Sequence, residues 1–261
     1  APLAIPYSPA TLRIGQDRLK RIQHAAQCPV GLENLAFAYS VEEVRRHGDF
    51  LAELIEPING FIILDLHNVY CQLENFQLSA GDMLQLFPLE RVREIHISGG
   101  SWESVTVEPG RRVRRDTHDD SVPREVFDLL RAALDVCPHC RYVVLEQLGT
   151  GMLTPESREQ FYTDFIRMEE IVNDQNLRSD PVEHNNFIPL QNMISERVFE
   201  DDRLFRQQRE LSAILESGMD YESALRALQS SSLAGSEWNI EHWDPAMLET
   251  AMQIARKWAN K

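Results

Sequence analysis

GFIILDLHN, Gly60 to Asn68, sets an apolar, β-branched run directly in front of an aspartate, a histidine and an asparagine. Continuous apolar runs of this length are typical of strands in parallel sheets, which are buried on both faces. An ionised Asp65 in such a strand is costly unless it is paired or binds a cation. The stretch therefore predicts a strand over 60–66 whose carboxyl end carries chemistry.

Outward from it, CPVGLENL (28–35), REIHISG (93–99) and RYVVLEQLG (141–149) read as further strands. Between them lie helical patterns. SPATLRIGQDRLKRIQHAA, Ser8 to Ala26, starts on Ser-Pro, and SVEEVRRHGDFLAELIE, Ser40 to Glu56, starts with Ser40 and Glu43 spaced as a capping box. GDMLQLFP (81–88) and VPREVFDLLRAAL (122–134) complete the alternation, which predicts βα units around a parallel sheet. From about Asn173 the pattern is helical without strand runs, in Phe199–Gly218, 220–229 and 244–261. The expected organisation is a βα barrel portion with a metal site over 1–172 and a helical extension over 173–261. The apolar stripes of the extension read as core packing, and Trp238, Trp243 and Trp258 as a weak interface signal.

Composition narrows the function. The chain has 261 residues, 43% of them hydrophobic, enough for a sizeable core. Acidic side chains outnumber basic ones 41 to 26, for a net charge of -15, which opposes nucleic acid and anionic membranes as partners. No apolar run is long enough to span a bilayer, and the first residues do not read as a signal peptide, so a cytoplasmic protein is expected. The four cysteines are too few for a disulfide scaffold. Cys137-Pro-His-Cys140 lacks a second CxxC pair and reads as a surface turn rather than a zinc or redox site.

Polar residues recur near the carboxyl ends of the apolar strands: Glu33, Asp65, His96 and Glu146, with Asp116 and His118 in the loop after the third strand. That is the end where α/β barrels assemble active sites. Oxygen and imidazole donors without thiolate suit iron, manganese or zinc, and the excess of carboxylates favours a multinuclear iron or manganese centre. Within RRDTHDD, Arg114 to Asp120, the arginines and Asp119 and Asp120 read as a solvated loop.

The ordered set GLEN, LDLHNVY, EIHISGG, DTHDDSVP and LEQLG resembles the multinuclear non-haem iron-dependent oxidases, the family familiar from methanobactin biosynthesis, over about residues 1 to 170. The resemblance implies a barrel related to the xylose-isomerase-like TIM barrels. It also implies two or three irons that use dioxygen to remodel cysteine or other residues of ribosomally made peptides, with a partner protein presenting the peptide. Carried over, it makes Glu33, Asp65, His96, Asp116, His118 and Glu146 iron ligands and Asn68 a weaker candidate. His67 departs from the family, which more often has Asn there; it is an extra ligand or a hydrogen-bond partner, on the face of Asp65 if the strand continues. Gly99 and Gly100 match a turn that brings backbone near the site.

Four strands are about half of such a barrel. The expectation is therefore a C-terminal half barrel completed by an absent or separate N-terminal half, by a partner, or by self-association. Two other readings stay open: a non-catalytic protein-interaction module built on a partial barrel, and a divalent-metal sugar isomerase or endonuclease-like barrel.

Overall fold

The computed structural model describes residues 5–178 and 185–259, and for 176–178 and 258–259 the backbone alone. The side chain of Trp258 and residues 260–261 of the last expected helix thus lie outside the described residues.

The apolar strands form one parallel sheet in the order β1 (Gly31–Glu33), β2 (Phe61–Asp65), β3 (Val92–Ile97), β6 (Tyr142–Leu145). Its two faces differ because residues alternate along a strand. Ile62, Leu64, Ile95 and Ile97 are buried on one face beneath α2 (Val41–Ile55), α3 (Leu66–Phe76), α5 (Arg124–Val136) and α6 (Pro155–Arg178). The other face carries the polar residues, since register pairs Glu33 with Ile63, Asp65 with His96, and His96 with Val144. Among the described residues, no strand pairs with the outer edge of β1 or of β6. The chain is therefore a mixed α/β protein of parallel βα units with a helical C-terminal region, consistent with part of a TIM barrel.

Local signals set the boundaries. In α1 (Pro9–Ala26) Ser8 Oγ accepts from Thr11 N at 3.3 Å, and in α2 Ser40 Oγ accepts from Glu43 N at 3.3 Å. Glu43 reaches back to Tyr39 N at 2.7 Å, one residue short of the expected capping box. Strand β2 stops at Asp65, whose Oδ1 accepts from Asn68 N at 2.6 Å and caps α3. His67 thus sits in a helix, which corrects the conditional placement on the strand face. The helix expected over 81–88 is the shorter α4 (Ala80–Leu84), and the strand expected over 141–149 ends at Leu145. Between β3 and α5 lies an unanticipated hairpin of β4 (Trp102–Ser104) and β5 (Arg112–Arg114). The expected change of character near Asn173 falls inside α6.

The C-terminal helices α7 (Asp202–Glu216), α8 (Tyr221–Gln229) and α9 (Pro245–Ala259) form a second core around Leu211, Leu228, Trp238 and Met252. Tyr39, from the loop after β1, belongs to it and stacks on Trp243 with ring centroids 3.7 Å apart. Glu249 of α9 accepts from Thr106 N at 2.8 Å and Val107 N at 2.9 Å, clamping the hairpin loop. Residues 185–199 reach this unit along the opposite end of the sheet: Phe187 is buried beside Phe61, Asn192 Nδ2 donates to Pro57 O at 2.9 Å, and Arg21 donates to Ser195 O at 2.7 Å. No helix among the described residues is long and apolar enough to cross a membrane.

Helix α2 approaches the loop after α4 backbone to backbone. A Cβ at Gly48 would stand 1.7 Å from Leu86 O, whereas one at Gly81 meets nothing within 4 Å. Gly48→Ala is expected to cost about 1–3 kcal/mol through overpacking, and Gly81→Ala to be neutral or to gain up to about 1 kcal/mol. Urea unfolding of the two variants checks the contrast.

Candidate metal centre

Parallel register collects the polar side chains where the strands end. Asp65 and His96 are lateral neighbours on β2 and β3, Glu33 closes β1, and Glu146 follows β6 directly, held by Glu146 N donating to Ile97 O at 2.9 Å. Two groups of donor atoms result, each within 4.8 Å of one another: Glu33, Asp65 and His96, and Asp65, His118 and Glu146. Asp65 belongs to both groups. Its Oδ2 is buried and has no hydrogen-bond partner among the described residues, although Oδ1 is engaged by the α3 cap. Burial pushes its pKa well up, and the charge of Asp116 adds to this; the Asn68 N–H opposes them.

His96 is buried. Nε2 lies 2.7 Å from Glu94 Oε1, while Nδ1, 3.1 Å from Glu146 Oε1, is not aligned for a hydrogen bond. Glu94 escaped the sequence reading, although its signal was there: it stands two residues before His96 and thus on the same face of the strand.

The loop carrying Asp116 and His118 leaves the hairpin and folds against the turn after β3. A Cβ on Gly99 would meet Ser121 O at 2.1 Å, and one on Gly100 would meet Arg115 O at 2.2 Å, so only glycines admit it. Arg115 N donates to Ser101 O at 2.8 Å and Ser101 N to Thr117 Oγ1 at 2.8 Å. His118 adopts a left-handed backbone, φ 52°, which is held as its carbonyl accepts from Leu148 N at 2.7 Å. Its Nε2 lies 2.8 Å from Asp116 Oδ1 and its Nδ1 3.4 Å from Glu146 Oε2. The hydrogen bond to Asp116 raises the His118 pKa to about 9; burial opposes this, and the charges of Asp116, Asp65 and Glu146 reinforce it. Burial alone would raise Asp116, but its hydrogen bonds to His118 and His67 outweigh it and hold the carboxyl well below the usual range.

Of the residues expected at the site, Glu33, Asp65, His96, His118 and Glu146 supply the grouped donor atoms, and Asp116 joins them through His118. Asn68 donates through Nδ2 to Glu33 Oε1 at 3.2 Å and to Asn34 O at 2.8 Å, and its buried Oδ1 is without a partner among the described residues. His67 is fully occupied as a hydrogen-bond partner: Nδ1 pairs with Asp116 Oδ1 at 3.0 Å, and Nε2 accepts from Arg114 Nε at 3.3 Å. Burial lowers its pKa despite Asp116, consistent with a neutral ring protonated on Nδ1. Arg114 corrects the solvated-loop reading, since it is buried at 5% exposure, whereas Asp119 and Asp120 are exposed as expected. Cys137 and Cys140 do form a turn, with Cys140 N donating to Cys137 O at 3.2 Å, but Cys137 is buried, and burial pushes its thiol up to about 12.

Residues 2–148 match the family model described as "RiPP precursor modification enzyme MbnB/TglH/ChrH". Among curated relatives, a UPF0276 protein of Caulobacter vibrioides is 28% identical over 132 residues, 50% of this chain and 45% of that protein. One of Paraburkholderia phytofirmans is 31% identical over 133 residues, covering 49% and 42%, and one of Pseudomonas aeruginosa is 29% identical over 170 residues, covering 63% and 55%. The chain spans about half the length of the curated relatives it matches.

A pH dependence of the metal-free chain follows from His118. Because its folded pKa is raised above the usual 6.5 to about 9, its pairing stabilises the fold fully below pH 6.5 and ceases to do so as pH rises through about 9. His118→Gln is expected to lower stability more at about pH 6 than at about pH 10. Denaturant midpoints of both proteins at the two pH values check this; an equal loss at both contradicts it.

Proposed function

Because the chain belongs to the MbnB/TglH/ChrH family of RiPP precursor modification enzymes, we propose that it is an iron-dependent oxidase that uses dioxygen to modify cysteine or another residue of a ribosomally made peptide. The observation that carries this reading is Asp65. It has a buried carboxylate oxygen without a hydrogen-bond partner among the described residues, and as a residue it belongs to both overlapping donor groups, which fits a ligand common to two metal ions. The donor set is oxygen and imidazole without thiolate, which suits iron, with manganese and zinc as the alternatives.

Glu33, Asp65 and His96 would hold one ion, and Asp65, His118 and Glu146 another, with Asp116 and Asn68 beside them as further oxygen donors. When bound, the metal supplies the redox chemistry with dioxygen that none of these side chains can perform. The chain's own groups orient and neutralise. His67 holds Asp116, Glu94 holds the His96 ring, and Asn34 fixes the end of β2, with Oδ1 accepting from Asp65 N at 2.7 Å and Nδ2 donating to Asp65 O at 3.0 Å. Such outer partners set the orientation and basicity of ligands. Deprotonated Asp65 and neutral His118 are the forms that bind metal, so uptake releases protons and weakens as pH falls. The peptide reaches the open, polar face of the sheet, where Glu33 is exposed. A peptide-presenting partner protein is part of this reading, as is a cytoplasmic location.

Anaerobic loading with ferrous iron followed by elemental analysis tests it. The chain is expected to retain more than one iron, and His96→Ala or His118→Ala to lose at least about tenfold in iron affinity. Iron no higher than in a metal-free control protein, or retention unaffected by both substitutions, refutes the reading.

A further inference from the structure

We propose that the cavity between the candidate metal centre and α9 binds a carboxylate of the peptide substrate, with Arg114 as its anchoring cation; this rests on the peptide-modifying reading above. The cavity, about 270 Å³, is bounded by Glu33, Asn68 and Asp116 on the metal side, by Phe37 and Arg114, and by Ile254 of α9.

Arg114 is buried, yet its guanidinium meets no anion among the described residues. Nε and one terminal nitrogen lie 3.3 and 3.2 Å from the same neutral His67 Nε2, and the group sits over the rings of Tyr70 and Trp102 at 5.4 and 5.5 Å. The other arginine of the cavity, Arg115, is paired with Glu103. Asp116, the nearest cavity carboxylate in the sequence, is engaged by His67 and His118. A guanidinium has five donors in a planar fork matched to a carboxylate, and a buried cation lacking a counter-ion is costly. This arrangement suits a site whose anion arrives with the ligand.

The volume admits one residue rather than a length of peptide. At a net charge of -15 the chain repels anions at long range, so selection has to come from short-range bidentate contact. Ile254 lines the cavity, which makes the helical extension a wall of the substrate site. A peptide C-terminal carboxylate and an acidic side chain share the required chemistry.

Calorimetric titration of the full chain, metal-free and iron-loaded under anaerobic conditions, distinguishes them with three probes: N-acetylcysteine, N-acetylcysteinamide and N-acetyl-aspartyl-cysteinamide. At least one carboxylate probe is expected to bind about tenfold or more tightly than N-acetylcysteinamide, and whichever does so identifies the source. Arg114→Gln should abolish that preference, Arg114→Lys should retain part of it, and Ile254→Trp should weaken all three probes. A purely structural role for Arg114 would instead weaken acid and amide alike. Equal binding of all probes to the wild-type chain, no binding of any, or a preference that survives Arg114→Gln overturns the proposal. Should Arg114→Gln fail to fold, the wild-type comparison and Arg114→Lys decide. A carboxylate preference in a chain that takes up no iron sinks the oxidase reading and leaves this site standing; iron uptake without the preference does the reverse.

Discussion

Asp65 is a carboxylate in a place where a charge is expensive, and much of the structure is arranged around it. One oxygen caps α3 by accepting from Asn68 N, while the other is buried without a partner among the described residues. The backbone on either side is held as well, because Asn34 brackets the peptide group of Asp65 with a donor and an acceptor. The strand, the helix that follows it and the loop after β1 are therefore locked together at the residue that both donor groups share. Desolvation disfavours the ionised form, and the nearby carboxylates disfavour it further. Positive charge placed between Asp65, His96 and His118 would relieve that penalty, and a cation there would link the stability of this corner of the fold to its chemistry.

Around that corner, hydrogen bonds and close polar contacts run outward in a chain. Arg114 contacts His67, His67 contacts Asp116, Asp116 contacts His118, and His118 and His96 both approach Glu146. The series starts in the hairpin that Glu249 clamps to α9. The helical extension is thus connected through named bonds to the loop that carries Asp116 and His118, with Arg111 bridging to Asp244 at 3.0 Å as a second tie.

What could be read from the sequence follows what periodicity encodes. The apolar runs ending in Asp65, His96 and Glu146 stood out because parallel strands are hydrophobic on both faces, so a single polar residue is conspicuous. Helix α3 is hidden for a related reason: every residue from Leu66 to Leu73 is buried, the polar His67, Asn68 and Gln72 among them, so little of it shows the exposed polar face that marks an amphipathic helix. Its start was nevertheless written as Asp65 with Asn68 three residues on. Strands β4 and β5 span three residues each, too short for alternation to register. The roles of Arg114 and His67 depend on a contact between residues 47 apart, which no local pattern predicts. RRDTHDD divides accordingly: both its ends are charged, but Arg114 is buried whereas Asp120 is exposed.

The clamp of Glu249 on the hairpin has a kinetic side. Thr106 and Glu249 lie 143 residues apart, and Arg18 reaches Phe199 O across 181. Loop-closure entropy must be paid before contacts of such separation are rewarded, whereas the βα units close over a few tens of residues. That cost favours forming the sheet and its covering helices first and docking the C-terminal helices afterwards. Until they dock, the cavity lacks the wall that Ile254 provides, so the polar face of the sheet takes shape before the cavity beside it is closed off.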